Sequence, residues 1–190
     1  MFAENILVSC EYYDLIDVNR YSDDGTIYPN NYEHSRIRAC LNGLSYKFRG
    51  SNAAGKIYLP VITYSGKGFL QMAFTEEEQG LIAEITVDNT ALSTNPDTSL
   101  WNNGFNTYAC SDTKDKVFLL SEQEKSKYDV GRIEMTDFAK ASGCGGNWWL
   151  RSPVYYNCNY ARYVYTSGYF TGESYVNSTN FGVVPALCLD

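Results

Sequence analysis

The chain has 190 residues, 44% of them hydrophobic and 19% charged, and a formal net charge of −7. That length and balance describe one globular domain able to bury about 70% of its unfolded surface. The acidic excess argues against nucleic acid or an anionic membrane as partner, and no apolar run approaches the roughly 20 residues that span a bilayer.

Met1-Phe2-Ala3-Glu4 has neither a basic start nor a long apolar core, so no signal peptide is expected. Residues 5–10 form a short apolar run, predicted to be a buried strand. Residues 11–16 either continue it or turn. Residues 19–31, rich in Asp, Asn, Ser, Gly and Tyr, read as a surface loop.

Residues 35–42 place Ile37, Cys40, Leu41 and Leu44 at the spacing of an amphipathic helix, with Ser35 as N-cap and Gly43 as terminator. Within residues 45–68, a strand over 56–64 is interrupted at Pro60, which suits an edge or a bulge. A second helix starts at Thr75, where Thr75 and Glu78 make a capping box and Glu76 and Glu77 complement the helix dipole. Leu81, Ile82 and Ile85 are its expected buried stripe. Residues 87–112 read as a long polar loop with Asn-Pro and Asn-Asn-Gly turn signals. A core strand over 116–120 runs into a helix over 121–128 with a second capping box, Ser121 and Glu124. A short helix over 136–141 is capped by Thr136 and ended by Gly143. The helices precede the main strands and no βαβ alternation is present, so the predicted class is α+β.

The last fifth of the chain is different. It opens on Trp148-Trp149-Leu150-Arg151-Ser152-Pro153 and closes on the apolar run Gly182-Val183-Val184-Pro185-Ala186-Leu187. Between them stand Tyr155, Tyr156, Tyr160, Tyr163, Tyr165, Tyr169, Phe170, Tyr175 and Phe181, interleaved with Asn157, Cys158, Asn159, Ser174, Asn177, Ser178 and Asn180. Stiff amphipathic rings beside small hydrogen-bonding groups are the composition of antibody binding loops. Ser167-Gly168 and Thr171-Gly172 punctuate the segment as turns. Alternation over 161–166 equally fits an ordinary half-buried strand.

This layout resembles a bacterial domain family of unassigned function with a C-type-lectin-like fold. It also resembles the variable proteins of diversity-generating retroelements, in which template Asn codons become Tyr, Ser, Cys, Phe, Gly or Asp. Ser35, Ile37, Arg38, Leu41 and Asn42 match the family's first helix, with Cys40 in place of its usual Trp. Asp115-Lys116-Val117-Phe118-Leu119-Leu120-Ser121 with Glu124 matches a second signature, and Val184 stands where the family usually has Arg. The resemblance implies paired terminal strands, with residues 6–8 beside 184–189, a few short helices, and a long irregular ligand-binding region over 154–181. It implies a receptor or adhesin-type module on a cell surface or phage particle, binding a protein or surface polysaccharide. Trp148, Trp149 and Arg151 are then framework. One Trp packs in the core, the other lies under the binding loops, and Arg151 anchors the turn at Pro153 through backbone carbonyls.

Catalytic readings are poor by comparison. His34 is the single histidine and has no nucleophile paired with it beyond its neighbour in sequence, Ser35. Glu76, Glu77 and Glu78 read as a helix-start charge cluster. Asp23-Asp24-Gly25 lacks EF-hand spacing, and the Glu-Pro-Asn and Gln-Pro-Asp tripeptides of calcium-dependent lectins do not occur. Gly143-Cys144-Gly145-Gly146 lacks the Lys of a phosphate loop. The lectin-like fold is shared with formylglycine-generating oxidases, for which Cys144, Cys158 and Cys188 would be the thiols. No Cys-x-x-Cys occurs among positions 10, 40, 110, 144, 158 and 188, so mostly buried thiols are expected and zinc is not. No catalytic residue, cofactor or metal is expected. The two rivals to a diversified binder are a fixed carbohydrate- or protein-binding adhesin and an oxidase.

Overall fold

Capping side chains set where the helices start. The structure, a computed structural model, describes residues 1–13, 19–22, 25–46, 49–52, 55–58, 62–90, 94, 108, 110–169 and 171–190, and of residues 19–22, 25–27, 46, 49–52, 55–58 and 62 the backbone alone. The helix Arg36–Asn42 begins where the Ser35 hydroxyl accepts the Arg38 amide and ends at Gly43, φ 67°. Both predicted capping boxes form, Thr75 with Glu78 ahead of Glu76–Gly80 and Ser121 with Glu124 ahead of Glu122–Lys127. Thr136 caps Asp137–Ala141 and also donates to the Ile6 and Leu7 carbonyls.

The architecture is mixed α and β, mostly short strands, with short helices scattered along the chain rather than leading it. The largest sheet has five strands in the order Thr171–Tyr175, Tyr160–Val164, Trp148–Pro153, Gly182–Val183, Val8–Ser9. All neighbours are antiparallel except Trp148–Pro153 with Gly182–Val183. The two ends of the chain do meet, but in a shifted register. Val8 faces Val183, while the Ala3 amide donates to the Pro185 carbonyl and Leu187 to that of Met1. Asn5–Ile6 pairs instead with Glu134–Met135, in parallel.

Alternation along three segments divides the interior into two cores. Trp149, Val117, Leu119 and Val183 point to one; Trp148, Leu150, Phe118, Leu120 and Val184 point to the other. A strand apolar on both faces is one covered on both faces. Tyr12, Tyr13, Tyr32 and the Ile37–Leu41 stripe complete the first core, and Ile6, Val130, Ile133 and Ala139 the second. The helix Arg36–Asn42 is clasped to the strand Val117–Phe118 through side chains. Asn42 Oδ1 accepts the Lys116 and Val117 amides, its Nδ2 donates to the Val117 carbonyl at 2.6 Å, and Arg38 Nε meets Asp115 at 2.9 Å.

Several expectations need correction. A helix Phe69–Ala73 was not anticipated, since five residues are too few for a legible period. Leu81 caps the short helix Glu76–Gly80 and is exposed, Ile82 alone of the expected stripe is buried, and Ile85 starts a strand. The region 19–31 is no plain loop: it carries the strands Asn19–Ser22 and Gly25–Ile27 and ends in buried Asn30 and Asn31. The run over 56–64 divides into Gly55–Tyr58 and Ile62–Thr63, which lie in different sheets. Pro60, Asp23, Asp24 and most of the predicted loop 87–112 lie outside the described residues. Among the described residues no helix is long and apolar enough to cross a membrane.

At Gly182, opposite Trp148 in the central sheet, an added Cβ would stand 2.1 Å from Ile6 Cγ2 and 3.0 Å from Cys144 Sγ. Both atoms belong to side chains buried in the second core. Gly182→Ala is therefore expected to lower stability by about 1–3 kcal/mol through overpacking, read as a lower urea midpoint at unchanged slope. An unchanged midpoint would mean that the two ends do not meet this closely.

Candidate ligand-binding face

The strand Trp148–Pro153 is buried through residue 152 and supplies the floor. Trp149 stacks on Phe181, ring centroids 4.3 Å apart at 28°, meets Tyr12 and Tyr163 edge-on, and donates from Nε1 to the Cys10 carbonyl at 2.8 Å. Trp148 packs in the other core. Both Trp residues are therefore core residues, Trp149 in the cluster that also holds Tyr163 and Phe181.

Arg151 is framework, by a different route from the one expected. Its guanidinium has no exposed surface and does not hold the turn at Pro153. It donates to the carbonyls of Leu119 (2.8 Å) and Asp88 (3.1 Å) and pairs in two-pronged fashion with the Glu124 carboxylate. Glu124 is the second half of the capping box, accepting the Ser121 amide at 2.9 Å. Burial pushes its carboxyl up, but the Arg151 hydrogen bonds and charge, with the Ser121 cap, outweigh that and hold it below its ordinary range. Next to it, Ser152 accepts the Glu122 amide at 2.9 Å and donates to the Thr94 carbonyl.

From this floor the sheet runs outward to an edge. Cross-strand pairing places Tyr160 opposite Tyr175 and Arg162 opposite Glu173 on one face. The Tyr160 and Tyr175 rings lie 4.4 Å apart, and a hydroxyl–hydroxyl bond between them raises the Tyr160 phenol above its ordinary range. Tyr155 and Tyr156 stand edge to face at 4.9 Å, and the Tyr156 hydroxyl donates to Glu173. Arg162 sits between Glu173 (3.6 Å) and Glu122 (3.4 Å), and Thr171 donates to Glu122. Tyr156, Tyr160 and Tyr175 thus flank a guanidinium and its two carboxylates.

The predicted site residues do not all reach solvent. Tyr156, Tyr165, Tyr169 and Tyr175 are 52%, 43%, 80% and 46% exposed, and Asn180 is exposed. Tyr155, Asn157, Cys158, Asn159, Tyr160, Ser174, Asn177 and Ser178 are half-buried. Tyr163 and Phe181 are corrections: both are buried in the Trp149 core, because strand alternation turns Tyr163 toward Trp149 and Ala161, away from Arg162. The Tyr163 phenol is pushed up to about 12 by burial and by its bond with Tyr165. Phe170 lies outside the described residues. Of the six cysteines, which are all thiols, only Cys144 is buried and the other five are half-buried.

One residue that positions this face had no signal in the sequence. Asn30 is fully buried, and its amide nitrogen donates to the carbonyls of Tyr160 (2.9 Å), Asn157 (3.1 Å) and Val154 (3.4 Å). Its backbone N–H reaches the Cys158 carbonyl at 3.0 Å. Among the described residues no group of three His, Cys, Asp or Glu side chains is placed to hold a metal ion.

Fold and face together define a mixed α/β domain, mostly sheet, whose outer strands carry tyrosines over a frame with two apolar cores. The chain belongs to a family described as a domain of unknown function (DUF6273), whose sequence model matches residues 3–190. No curated protein and no solved structure matches it.

Asn30→Ala leaves three carbonyls without their shared donor and is expected to cost about 1–3 kcal/mol. Hydrogen exchange should speed up at the amides of residues 155–160 before the rest of the sheet; uniform exchange would remove Asn30 from this role. A second test is the pH dependence of Glu124. Its folded pKa lies below the unfolded value, so its contribution is complete above about pH 4.5 and is lost as pH falls below that. The urea midpoint should drop on acidification through this range. In Glu124→Gln the drop should shrink, on top of a loss at pH 7 of about 3–5 kcal/mol from an unpaired buried guanidinium.

Proposed function

We propose that this chain is a ligand-binding module, not an enzyme, of receptor or adhesin type, and that its binding surface is the tyrosine-bearing face over 155–180. On this reading it has a C-type-lectin-like architecture and is similar in design to the variable proteins of diversity-generating retroelements. It would be displayed on a cell surface or phage particle and bind a protein or surface polysaccharide.

The observation that carries the reading is a division of labour. Trp148, Trp149, Arg151 and Ser152 are buried in the frame, while Tyr156, Tyr165, Tyr169 and Tyr175 are large rings left in solvent. Tyr156 and Tyr175 lie on the side of the outer strands that carries Arg162, and Tyr165 lies with Tyr163 on the other side; exposed aromatics on a rigid support suit an epitope, since binding energy concentrates in such side chains. Arg162 with Glu173 and Glu122 adds directional polar contacts at the centre.

Sequencing this coding region across a natural population of its carriers tests the reading. Substitutions at Asn-derivable codons are expected at positions 155, 156, 165, 169 and 175, with Trp148, Trp149, Arg151, Tyr163 and Phe181 unchanged. Variation spread evenly over buried and exposed positions would sink diversification. No variation at all would favour a fixed adhesin, for which the paired Tyr160 and Tyr175 rings, tilted by 30°, are the natural sugar platform; a glycan array then decides, with Tyr160→Ala and Tyr175→Ala as controls.

A further inference from the structure

The strand Thr171–Tyr175 ends the five-stranded sheet: Tyr160–Val164 lies on one side and, among the described residues, no strand lies on the other. Two bonds fix the phase of its ladder. The Val176 amide donates to the Asn159 carbonyl, and the Tyr160 carbonyl faces the other way, accepting the Val154 amide. Residues 172, 174 and 176 therefore turn their backbone groups toward Tyr160–Val164, and residues 171, 173 and 175 turn theirs outward. The Tyr175 carbonyl takes the Ser178 amide. The Tyr175 N–H and both backbone groups of Thr171 and Glu173 have no partner among the described residues.

Proteins blunt such an edge with lysine, proline or a bulge. Thr171-Gly172-Glu173-Ser174-Tyr175 has none of these, and its five pairs run in unbroken register. Its one charge, Glu173, is drawn back onto the sheet face by Arg162 and Tyr156. The exposed rings converge on the same edge from opposite sides. Tyr175 and Tyr156 stand with Arg162, while on the other face an added Cβ at Gly172 would lie 2.7 Å from Tyr163 Cζ and 2.9 Å from Tyr165 Cε2. A ligand resting on one face meets only one set of rings. A strand added at the edge meets both, because its side chains alternate between the faces.

We propose that the edge Thr171–Tyr175 is a β-augmentation site that takes an extended segment of a partner protein. On the reading of residues 155–180 as the binding surface, on which this rests, the partner is protein and not polysaccharide. Backbone donors and acceptors that recur at every second residue are matched by a second peptide strand. Charge selects its central residue. In an antiparallel addition Glu173 exchanges both backbone bonds with the residue opposite, and a Lys or Arg there forms a cross-strand ion pair. The residues two positions to either side face Thr171 and Tyr175 and suit β-branched side chains. A second copy paired about Glu173 is disfavoured, since it sets carboxylate against carboxylate between chains of net charge −7.

The test titrates the full chain with a capped peptide of alternating Thr and Val carrying Lys at its centre, followed by amide hydrogen exchange. Binding should slow exchange at the Glu173 amide more than at Ser174, which is already bonded within the sheet. N-methylation of the central Lys removes the donor to the Glu173 carbonyl and should abolish binding. N-methylation of the following Val, whose N–H points away from the edge, should leave it intact. Glu in place of the Lys should weaken binding about fivefold, and Glu173→Lys should reverse that preference. Equal losses from the two N-methyl peptides, or shifts at the Tyr165 and Tyr175 rings without protection of the Glu173 amide, would overturn strand addition and leave the binding face standing. No binding of the Lys peptide, whether or not a glycan binds, would overturn it as well, while the sequencing test decides the face itself. Dimerisation of the free chain with the Glu173 amide protected would assign the edge to a second copy instead.

Discussion

A guanidinium shut away from water must find its hydrogen-bond partners inside the protein, and Arg151 finds them in segments far apart in sequence. Leu119 and Asp88 supply carbonyls, Glu124 supplies a carboxylate, and Tyr12 donates back to the Arg151 carbonyl at 3.1 Å. Only Nε is left without a partner among the described residues. A buried charge of this kind is costly unless its pairing is nearly complete. Every segment that touches it is therefore fixed relative to the central strand. Glu124 serves two masters, capping its own helix and neutralising Arg151, so the helix cannot shift without stranding the charge.

The same economy recurs where the first helix meets the strand Val117–Phe118. Asn42 offers its side-chain amide as if it were one more residue of backbone, accepting from Lys116 and Val117 and donating to Val117. Arg38 and Asp115 lock the other end, with Thr113 donating to Asp115 at 2.6 Å. Two stretches that resemble family signatures in the sequence are thus the two halves of one clasp. The tandem Trp residues are the third part, each belonging to a different core, so the central strand is held from both faces at once.

Local chemistry was legible in the sequence, and long-range partnership was not. Ser35, Thr75, Ser121 and Thr136 all cap helices as their spacing implied, because a cap and its target lie three residues apart. Tyr163 and Phe181 looked like their exposed neighbours because composition carries no register; only pairing with Trp149 decides which tyrosine of the alternation turns inward. Asn30 stood in a polar, turn-rich stretch and gave no sign of a partner 124 to 130 positions away. Tyr12, Tyr13 and Tyr32 were equally silent, since a fully buried tyrosine differs from an exposed one only in what the rest of the chain brings to it.

The way the outer segment is held bears on what it can tolerate. Asn30 reaches the carbonyls of residues 154, 157, 158 and 160; Cys10 and Tyr13 reach those of 181 and 176; Gly145 reaches that of 180. Every one of these acceptors is backbone, so the segment is fixed by atoms that all residue types possess. The exposed side chains at 156, 165, 169 and 175 take no part in these backbone attachments. A surface built this way can change its chemistry one ring at a time while its shape stays under the control of buried donors elsewhere in the chain. That separation of the scaffold from the displayed side chains is the physical condition a diversified binding face would require, and a fixed catalytic site would have no need of it.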